Sequence, residues 1–323
     1  MRIVEGNMTA KKMMPRRRFG TGLNIPVVPC GTQAIGDAFR NHSLEEAFDI
    51  MKHCVEVGIN HFDTSRCYSG SLPRLGEGIK QGVLKREEVI ITCRVCCHGE
   101  SVDYSADATM RWIEEDMKTL GIDYTDGVFI HDPREITPVL SAGGTVDGLL
   151  RLKEQGVIGG IGLGCRPMEY HTAALETGKV DMLLCFRESY NLLYQEAAKE
   201  VLPMADDLDV GVLNGFSIMR GILTGEDVDR AAERGRWSKN VEDIRRAREI
   251  RKWCNENNVN MLALALQFCL REERIHGNPI ALTTIREIDA AVEAMTETLP
   301  EEVWREYEEK QRRTGRKRQD NAE

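Results

Sequence analysis

Short apolar segments alternate with helix-like segments along this 323-residue chain, and this alternation constrains the fold more than any other feature. The predicted strands cover residues 27–31, 59–63, 89–95, 127–131, 158–163, 182–185, 210–214 and 280–283. The predicted helices cover residues 44–57, 72–81, 106–120, 146–155, 167–177, 197–208, 241–257 and 285–298. Eight strand-helix repeats, with mostly short loops and no break in composition, predict a closed parallel (β/α)8 TIM barrel of the α/β class.

Segments outside the repeats are predicted to extend the barrel. Residues 1–14 lack periodicity and are expected to form a flexible arm. The glycine-containing turn at residues 19–23 predicts a β-hairpin ahead of the first barrel strand. Residues 299–311 are predicted to form an extra C-terminal helix, with a charged tail from Arg312. We therefore expect residues 15–323 to form a single domain.

Two long segments, residues 96–105 and 216–240, follow the third and seventh predicted strands. Loops at the carboxyl ends of barrel strands shape the pocket, so we expect both segments to act as lids. A tolerated surface insertion is the alternative for residues 230–238.

Composition narrows the classes of partner. The chain has 52 acidic and 43 basic residues, and the resulting net charge of −9 disfavours nucleic acid. It has no apolar run long enough to span a membrane and no signal-like start, so we expect a cytoplasmic protein.

The ten cysteines lack zinc-site spacing and are predicted to be reduced core thiols, with no metal bound. The vicinal pair Cys96 and Cys97 could instead be redox-active.

A carboxylate and a phenol are predicted to meet at the end of the second strand. Asp63 ends an apolar segment, and Tyr68 follows five residues later in a loop containing serine and glycine. Both side chains are therefore delivered to the carboxyl end of the sheet, where parallel α/β folds carry their chemistry. A hydrogen-bonded structural pair is the alternative for such a spacing taken alone.

The ordered set of strand-end motifs resembles the aldo-keto reductase superfamily over residues 16–292. The motifs occupy residues 28–32, 58–64 with Tyr68, 75–76, 86–92, 120–126 with His131 and Asp132, 190–193, and 221–225. Residues 212–215 with Gly221 are most similar to the branch that contains sugar dehydrogenases acting at the anomeric carbon.

The resemblance implies a catalytic tyrosine that exchanges a proton with the substrate, tuned by an aspartate and a lysine, with a histidine that orients the substrate. Asp63, Tyr68 and His131 match three of these positions, and Arg94 stands where the lysine is expected. A tyrosine with a pKa of about 10 needs a nearby cation to react near neutral pH, and Arg94 keeps that charge. Its planar guanidinium is not a conservative replacement, so the rate and direction of the reaction stay open.

The resemblance also implies NADP or NAD as cofactor, without deciding between them. By position, the cofactor-binding residues are Gly31, Thr32, Asp63, Gly164, Cys165, Asn214, Gly215, Gly221, Leu223, Thr284 and Arg286. Gly164 and Cys165 replace the serine and asparagine that usually hold the nicotinamide amide. Only Arg286 supplies a basic side chain where the family usually binds the 2′-phosphate, at the start of the eighth helix.

Arginines are concentrated near the predicted strand ends, at positions 66, 134, 166, 187 and 220. In a chain of net charge −9, this cluster predicts electrostatic focusing of an anion. We assign Arg66, Arg134, Arg166 and Arg187 to a negatively charged group on the substrate, and we leave the cofactor pyrophosphate as a second use. Surface ion pairs with Glu135 and Glu188 are the alternative for Arg134 and Arg187.

Together these features predict an NAD(P)-dependent oxidoreductase that interconverts a carbonyl or lactol with an alcohol or lactone. The expected partner is a small-molecule substrate, an anionic carbohydrate derivative being the favoured class, and the protein is expected to be a monomer or a homo-oligomer. A non-redox isomerase, epimerase or lyase that retains a nucleotide is the first alternative. A non-catalytic subunit that senses the nicotinamide redox state is the second.

Overall fold

The computed structural model describes residues 12–95, 102–187, 189–234 and 240–319, with the side chains of residues 234 and 313–319 left out. Seven parallel strands follow one another in sequence order around a curled sheet. They are β3 Cys30–Gly31, β4 His61–Asp63, β5 Ile90–Val95, β6 Gly127–His131, β7 Ile161–Cys165, β8 Met182–Cys185 and β9 Gly211–Asn214. The (β/α)8 barrel prediction is confirmed, although the first strand is shorter than predicted and β7 begins three residues later.

The eighth strand predicted at residues 280–283 is wrong as an element. An extended segment that reaches its first residue, Ile280, closes the barrel through isolated bridges of Gly277 to Leu213 and of Ile280 to Cys30. The amide of Ile280 donates to the carbonyl of Pro29 at 3.1 Å, and its carbonyl accepts from Gly31 at 2.8 Å. Pro279, which has no N–H to donate, lies between these bridges and limits the ladder.

The helices surround the sheet. They are α1 Leu44–Glu56, α2 Ser71–Lys80, α3 Ala106–Leu120, α4 Thr137–Leu140, α5 Thr145–Glu154, α6 Met168–Glu176, α7 Val201–Asp207, α8 Val228–Arg234, α9 Val241–Glu256, α10 Met261–Arg271, α11 Ile285–Thr296 and α12 Glu301–Gln319. Seven of the eight predicted barrel helices agree with these bounds to within two residues. The helix predicted at residues 197–208 is divided into a 3₁₀ turn, Glu196–Ala198, and α7.

Two helix predictions need correction. The sequence prediction omitted α4, α8 and α10. The apolar residues of α10 run round most of its surface and give no amphipathic stripe, although the Asn260 side chain caps its first turn. Helix α12 continues to Gln319, so the charged segment expected as a tail from Arg312 begins inside a helix. Within the described ranges, no helix is long and apolar enough to cross a membrane.

The predicted N-terminal hairpin is present and lies at the amino-terminal ends of the barrel strands. Strands β1 Arg16–Arg18 and β2 Asn24–Pro26 pair antiparallel. Phe19, in the turn between them, is 1 % exposed, and a Cβ on Gly211 at the start of β9 would lie 2.5 Å from its ring. Because the hairpin covers this end of the barrel, substrate access is left to the carboxyl ends of the strands.

Several predictions fall wholly or partly outside the described residues. These are most of the N-terminal arm, the Cys96 and Cys97 pair, part of each predicted lid, and Glu188 as a partner for Arg187. At the end of the arm, Met14 is buried, and its amide donates to the carbonyl of Val57 at 2.8 Å.

Candidate active site

The register of neighbouring strands brings the predicted catalytic side chains toward one place. Asp63 of β4 pairs with Thr92 of β5, and Arg94 pairs with Phe129 of β6. Because strand side chains alternate between faces, Thr92 and Arg94 share the face of β5 that carries Ile90 into the barrel interior. His131 shares the inner face of β6 with Phe129, which is also buried inside the barrel.

Asp63 and Arg94 form a buried ion pair at the mouth. The guanidinium Nε and Nη2 donate to Asp63 Oδ2 at 3.0 and 2.5 Å. Thr92 Oγ1 donates to Asp63 Oδ1 at 3.0 Å, so both carboxylate oxygens accept hydrogen bonds. Burial alone would lower the pKa of Arg94, but the Asp63 carboxylate and then Tyr68 raise it above its usual value. Arg94 is therefore a permanent cation held in a fixed orientation.

A buried histidine supports this ion pair from below. His61 Nε2 lies 3.1 Å from Thr92 Oγ1, and burial lowers the pKa of His61 to about 4. The imidazole is therefore neutral near pH 7. Since Thr92 donates its hydroxyl proton to Asp63, its oxygen is left to accept the His61 Nε2–H. Neither His61 nor Thr92 was among the predicted site residues, although both lie on the strands that carry Asp63 and Arg94.

Tyr68 and His131 meet beside the guanidinium. Tyr68 is 7 % exposed, and the Arg94 Cζ lies 5.5 Å from the centroid of its ring. The ring centroids of Tyr68 and His131 are 6.0 Å apart, with the ring planes 88° to one another. The structure thus brings together all four predicted catalytic residues, three of which come from successive strands. A phenol beside a fixed cation and an imidazole is an arrangement for proton exchange with a bound oxygen atom.

Of the predicted substrate arginines, Arg66 is paired with acidic side chains, whereas the contact of Arg134 is made by its backbone. Arg66 Nη2 is 2.9 Å from Asp116 Oδ1, and its Nη1 is 3.3 Å from Glu115 Oε2, so Arg66 is held against α3. Arg134 is exposed, and its carbonyl accepts a hydrogen bond from the Tyr170 hydroxyl at 3.0 Å.

The other two predicted arginines form a cluster with Arg220. Arg166 directly follows β7 and donates to Asp132 Oδ2 through Nη2 at 2.9 Å. Arg187 follows the next strand, β8. Burial, then Arg187, then Arg166 lower the pKa of Arg220, while Tyr68 opposes the shift. Arg220 is therefore within electrostatic reach of Arg187, Arg166 and the Tyr68 phenol.

Backbone strain accompanies this cluster. Arg187 and Arg220 have φ values of 63° and 53°, and Met219, next to Arg220, has a φ of 45°. Residues other than glycine, asparagine and aspartate seldom adopt this left-handed conformation, which costs of order 1–3 kcal/mol at each position. Strain retained in two loops at the mouth points to a functional requirement for these backbone positions.

Several predicted cofactor residues are buried or bonded to other parts of the barrel. Asn214 is buried, and its side chain is already bonded to Ser189 Oγ at 3.0 Å, Tyr190 O at 2.8 Å and Asn278 Oδ1 at 3.1 Å. Its amide thus holds the barrel wall. Gly31 lies in β3, and Thr32 Oγ1 donates to the carbonyl of Asp63 at 3.0 Å. Leu223 is buried in the loop after β9.

Cys165 and the start of α11 were also expected to contact the cofactor, but groups in both places already have partners within the protein. The Cys165 thiol is buried 3.5 Å from His171 Nε2, and burial raises its pKa well above the usual value. At α11, Thr284 caps the helix, and Glu287 Oε2 accepts from the Thr283 amide at 2.6 Å. A carboxylate therefore occupies the segment expected to meet the adenosine phosphate, with Arg286 nearby on the surface.

The loop after β9 has features that fit an anionic dinucleotide. Ser217 Oγ is buried, and no hydrogen-bond partner for it is found among the described residues. Arg220 follows in the same loop, and Gly221 has a φ of +100° that requires glycine. At Gly215 a Cβ would meet Leu184 Cδ2 at 2.9 Å, whereas a Cβ at Gly164 would make only ordinary contacts. A hydroxyl with no partner in the described part of the chain and a cation in the same loop suit a phosphate group, and the sequence prediction omitted Ser217.

The barrel mouth therefore holds a phenol, a fixed cation and an imidazole, which are the groups expected from the resemblance to nicotinamide-dependent oxidoreductases. The sequence profile described as "Aldo/keto reductase family" matches residues 28–312. The chain therefore belongs to this family, and it is an oxidoreductase that uses NAD or NADP.

Named relatives cover most of the chain. L-galactose dehydrogenase of Arabidopsis thaliana is 26% identical over 285 residues, covering 86% of each chain. Pyridoxal 4-dehydrogenase of Microbacterium luteolum is 26% identical, covering 91% of this chain and 96% of its own. D-threo-aldose 1-dehydrogenase of Pseudomonas sp is 23% identical, covering 89% and 94%. Aldo-keto reductase AKR11C1 of Bacillus halodurans, solved in its holo form, has a TM-score of 0.74 at 20% identity over 92% and 96% of the chains.

Proposed function

We propose that this protein is a dehydrogenase that oxidises a polar, sugar-like substrate at a lactol or secondary alcohol, and catalyses the reverse reduction. The observation that carries the proposal is the meeting of Tyr68, Arg94 and His131 above the buried carboxylate of Asp63. Two relatives named as L-galactose dehydrogenase and D-threo-aldose 1-dehydrogenase support a sugar as substrate.

Each of the four side chains has a distinct task in this proposal. Tyr68 accepts the hydroxyl proton of the substrate during oxidation and returns it during reduction. Arg94 stabilises the phenolate, and Asp63 holds the guanidinium against the Tyr68 ring. His131 donates a hydrogen bond to the substrate oxygen and so orients it. The nicotinamide, when bound, accepts or supplies the hydride.

The loop after β9 is our proposed pyrophosphate site. Ser217 and Arg220 would donate hydrogen bonds to phosphate oxygens, next to the backbone at Gly221. We propose NAD rather than NADP, because the Glu287 carboxylate already accepts the Thr283 amide and hydroxyl, at 2.6 and 2.8 Å. A 2′-phosphate near this carboxylate would be repelled.

The substrate is proposed to carry a negative charge, with Arg166 and Arg187 as its partners. Arg166 and Arg187 come just after the ends of β7 and β8, which are neighbouring strands whose last residues, Cys165 and Cys185, are paired. The influence of both cations on the pKa of Arg220 supports the proposal, since it places positive charge near this edge of the barrel. Arg66 is left out of the substrate site, because Asp116 and Glu115 hold its guanidinium. Arg134 stays a predicted substrate residue, since its contact with Tyr170 is made by the backbone carbonyl.

A substrate panel tests the function directly. The purified protein would be incubated with NAD⁺ or NADP⁺ and with L-galactose, other aldoses and uronic acids, while absorbance at 340 nm is recorded. We expect NADH formation, faster with a uronic acid than with the matching neutral sugar, and its loss in Tyr68→Phe. Full turnover by Tyr68→Phe would refute the assignment of Tyr68.

The same panel separates the alternatives. Product formation without an absorbance change, from protein that carries a retained nucleotide, would support an isomerase, epimerase or lyase. Nucleotide binding without turnover of any substrate would support a redox-sensing subunit. The cytoplasmic location stays part of the proposal; the eight cysteines within the described residues are all free thiols, as a reducing compartment requires.

A further inference from the structure

An exposed thiol lies against the candidate catalytic histidine. Cys67 Sγ is 3.5 Å from His131 Nδ1 and 3.1 Å from Ser65 Oγ. Among the eight cysteines that the structure describes, Cys67 is exposed and the other seven are buried. Cys67 also precedes Tyr68 in the chain and lies within electrostatic reach of Arg94.

The hydrogen bonds around Cys67 bear on which atom donates in each contact of its thiol. The Cys67 amide donates to Ser65 Oγ at 3.4 Å, which uses that oxygen as an acceptor and leaves its hydroxyl proton to be donated. The short distance from Ser65 Oγ to Sγ suits donation of this proton to the sulfur. The S–H can then donate to His131 Nδ1. Either atom of the Ser65–Cys67 pair can donate, and the direction between Cys67 and His131 depends on the histidine tautomer. Our proposal adopts the order from Ser65 through Cys67 to His131.

A histidine whose Nδ1 accepts a hydrogen bond carries its proton on Nε2. The rings of His131 and Tyr68 lie edge to face, with their planes at 88°, so the two side chains belong to one site. Second contacts of this kind fix both the tautomer and the direction of a functional imidazole.

We propose that Cys67 is a positioning residue, which holds His131 in the Nε2–H tautomer and turns its Nε2–H toward the substrate oxygen. This inference rests on the proposed function in one respect, that His131 orients the substrate. Cys67 itself contacts neither substrate nor hydride, and it acts only through His131.

The first test does not depend on turnover. Protein labelled with ¹⁵N in its histidines would be compared by NMR with Cys67→Ala and Cys67→Ser, with His131→Gln used to assign the resonance. We expect the Nδ1 resonance of His131 to move in Cys67→Ala and to stay close to wild type in Cys67→Ser, because serine keeps a donor. An unchanged resonance in Cys67→Ala would overturn the proposal.

The second test uses the substrate identified by the panel. Cys67→Ala should lower kcat by about ten-fold, as loss of one hydrogen bond in the transition state would, and leave NAD⁺ affinity unchanged. Cys67→Ser should recover most of kcat. Equal losses in both variants would contradict a positioning role. If wild-type protein turns over no substrate, the proposed function fails, while the NMR comparison still decides whether Cys67 sets the state of His131.

Discussion

Replacement of Arg94 by methionine should destabilise the protein strongly, because it leaves a buried carboxylate without its cation. Asp63 is 1 % exposed, and two of the hydrogen bonds to its carboxylate come from Arg94. The remaining bond is from the neutral hydroxyl of Thr92. Breaking a buried ion pair by removing one partner typically costs about 3–5 kcal/mol.

Thermal unfolding gives the first measurement. At roughly 2–4 °C for each kcal/mol, the melting temperature of Arg94→Met should fall by about 6–20 °C. The double variant Asp63→Asn with Arg94→Met should recover part of this loss, since no unpaired charge remains. The ion-pair argument would be refuted if the double variant lost as much in melting temperature as Asp63→Asn and Arg94→Met lose together when measured singly. A melting temperature of Arg94→Met equal to wild type would also refute it.

Arg94→Lys is the matched control for charge. It keeps a cation near Asp63 but replaces two donors of a planar group by one ammonium. We expect its kcat to stay within about ten-fold of wild type, and that of Arg94→Met to fall by about 10²-fold or more, as for loss of an electrostatic group in a reaction centre. Equal activity of both variants would show that the charge does not activate Tyr68.

Three further predictions follow from charges elsewhere in the structure. Burial lowers the pKa values of His61 and His171 to about 4, so the unfolded chain binds protons at these histidines before the folded chain does as the pH falls below 6.5. Each imidazole should therefore remove roughly 2–3 kcal/mol of unfolding free energy between pH 7.5 and 4.5. In urea unfolding, a glutamine variant at either position should show a weaker pH dependence of stability than wild type. Glu287→Gln should raise kcat/KM with NADP⁺ several-fold and leave that with NAD⁺ within two-fold, and equal effects on both would contradict repulsion of a 2′-phosphate. Arg187→Met should raise KM for a uronic acid by about ten-fold but not for the matching neutral sugar, and parallel changes would exclude a charge contact.

The parts of the site that the sequence predicted are those fixed by strand ends. Asp63, Arg94 and His131 close three successive strands or lie one residue from their ends. In a parallel sheet those ends share one edge, which places the side chains there close together. The spacing of Asp63 and Tyr68 alone was weak evidence, and the resemblance to aldo-keto reductases selected Tyr68, His131 and Arg94.

The parts that the sequence did not predict depend on side-chain partners. Arg66 was expected at the substrate site, but Asp116 of α3 holds it. Asn214 was expected to contact the cofactor, but its amide links Ser189, Tyr190 and Asn278. Both are cases where the residue type allowed either use, and only the position of distant partners decided between them.

The nature of the cation beside Tyr68 bears on the direction of the reaction. A guanidinium stays protonated in proteins, and the Asp63 carboxylate raises the pKa of Arg94 further. Arg94 can therefore stabilise a phenolate but cannot supply the proton that a reduction consumes. Oxidation needs Tyr68 as a proton acceptor, which is the state that a permanent cation favours. On this reasoning Arg94→Lys should raise the ratio of kcat for carbonyl reduction to kcat for alcohol oxidation, each measured at pH 7 with saturating substrate and cofactor. The ratio of the two kcat/KM values is fixed by the equilibrium constant. An unchanged ratio of the kcat values would show that the proton of the reduction reaches Tyr68 by another route.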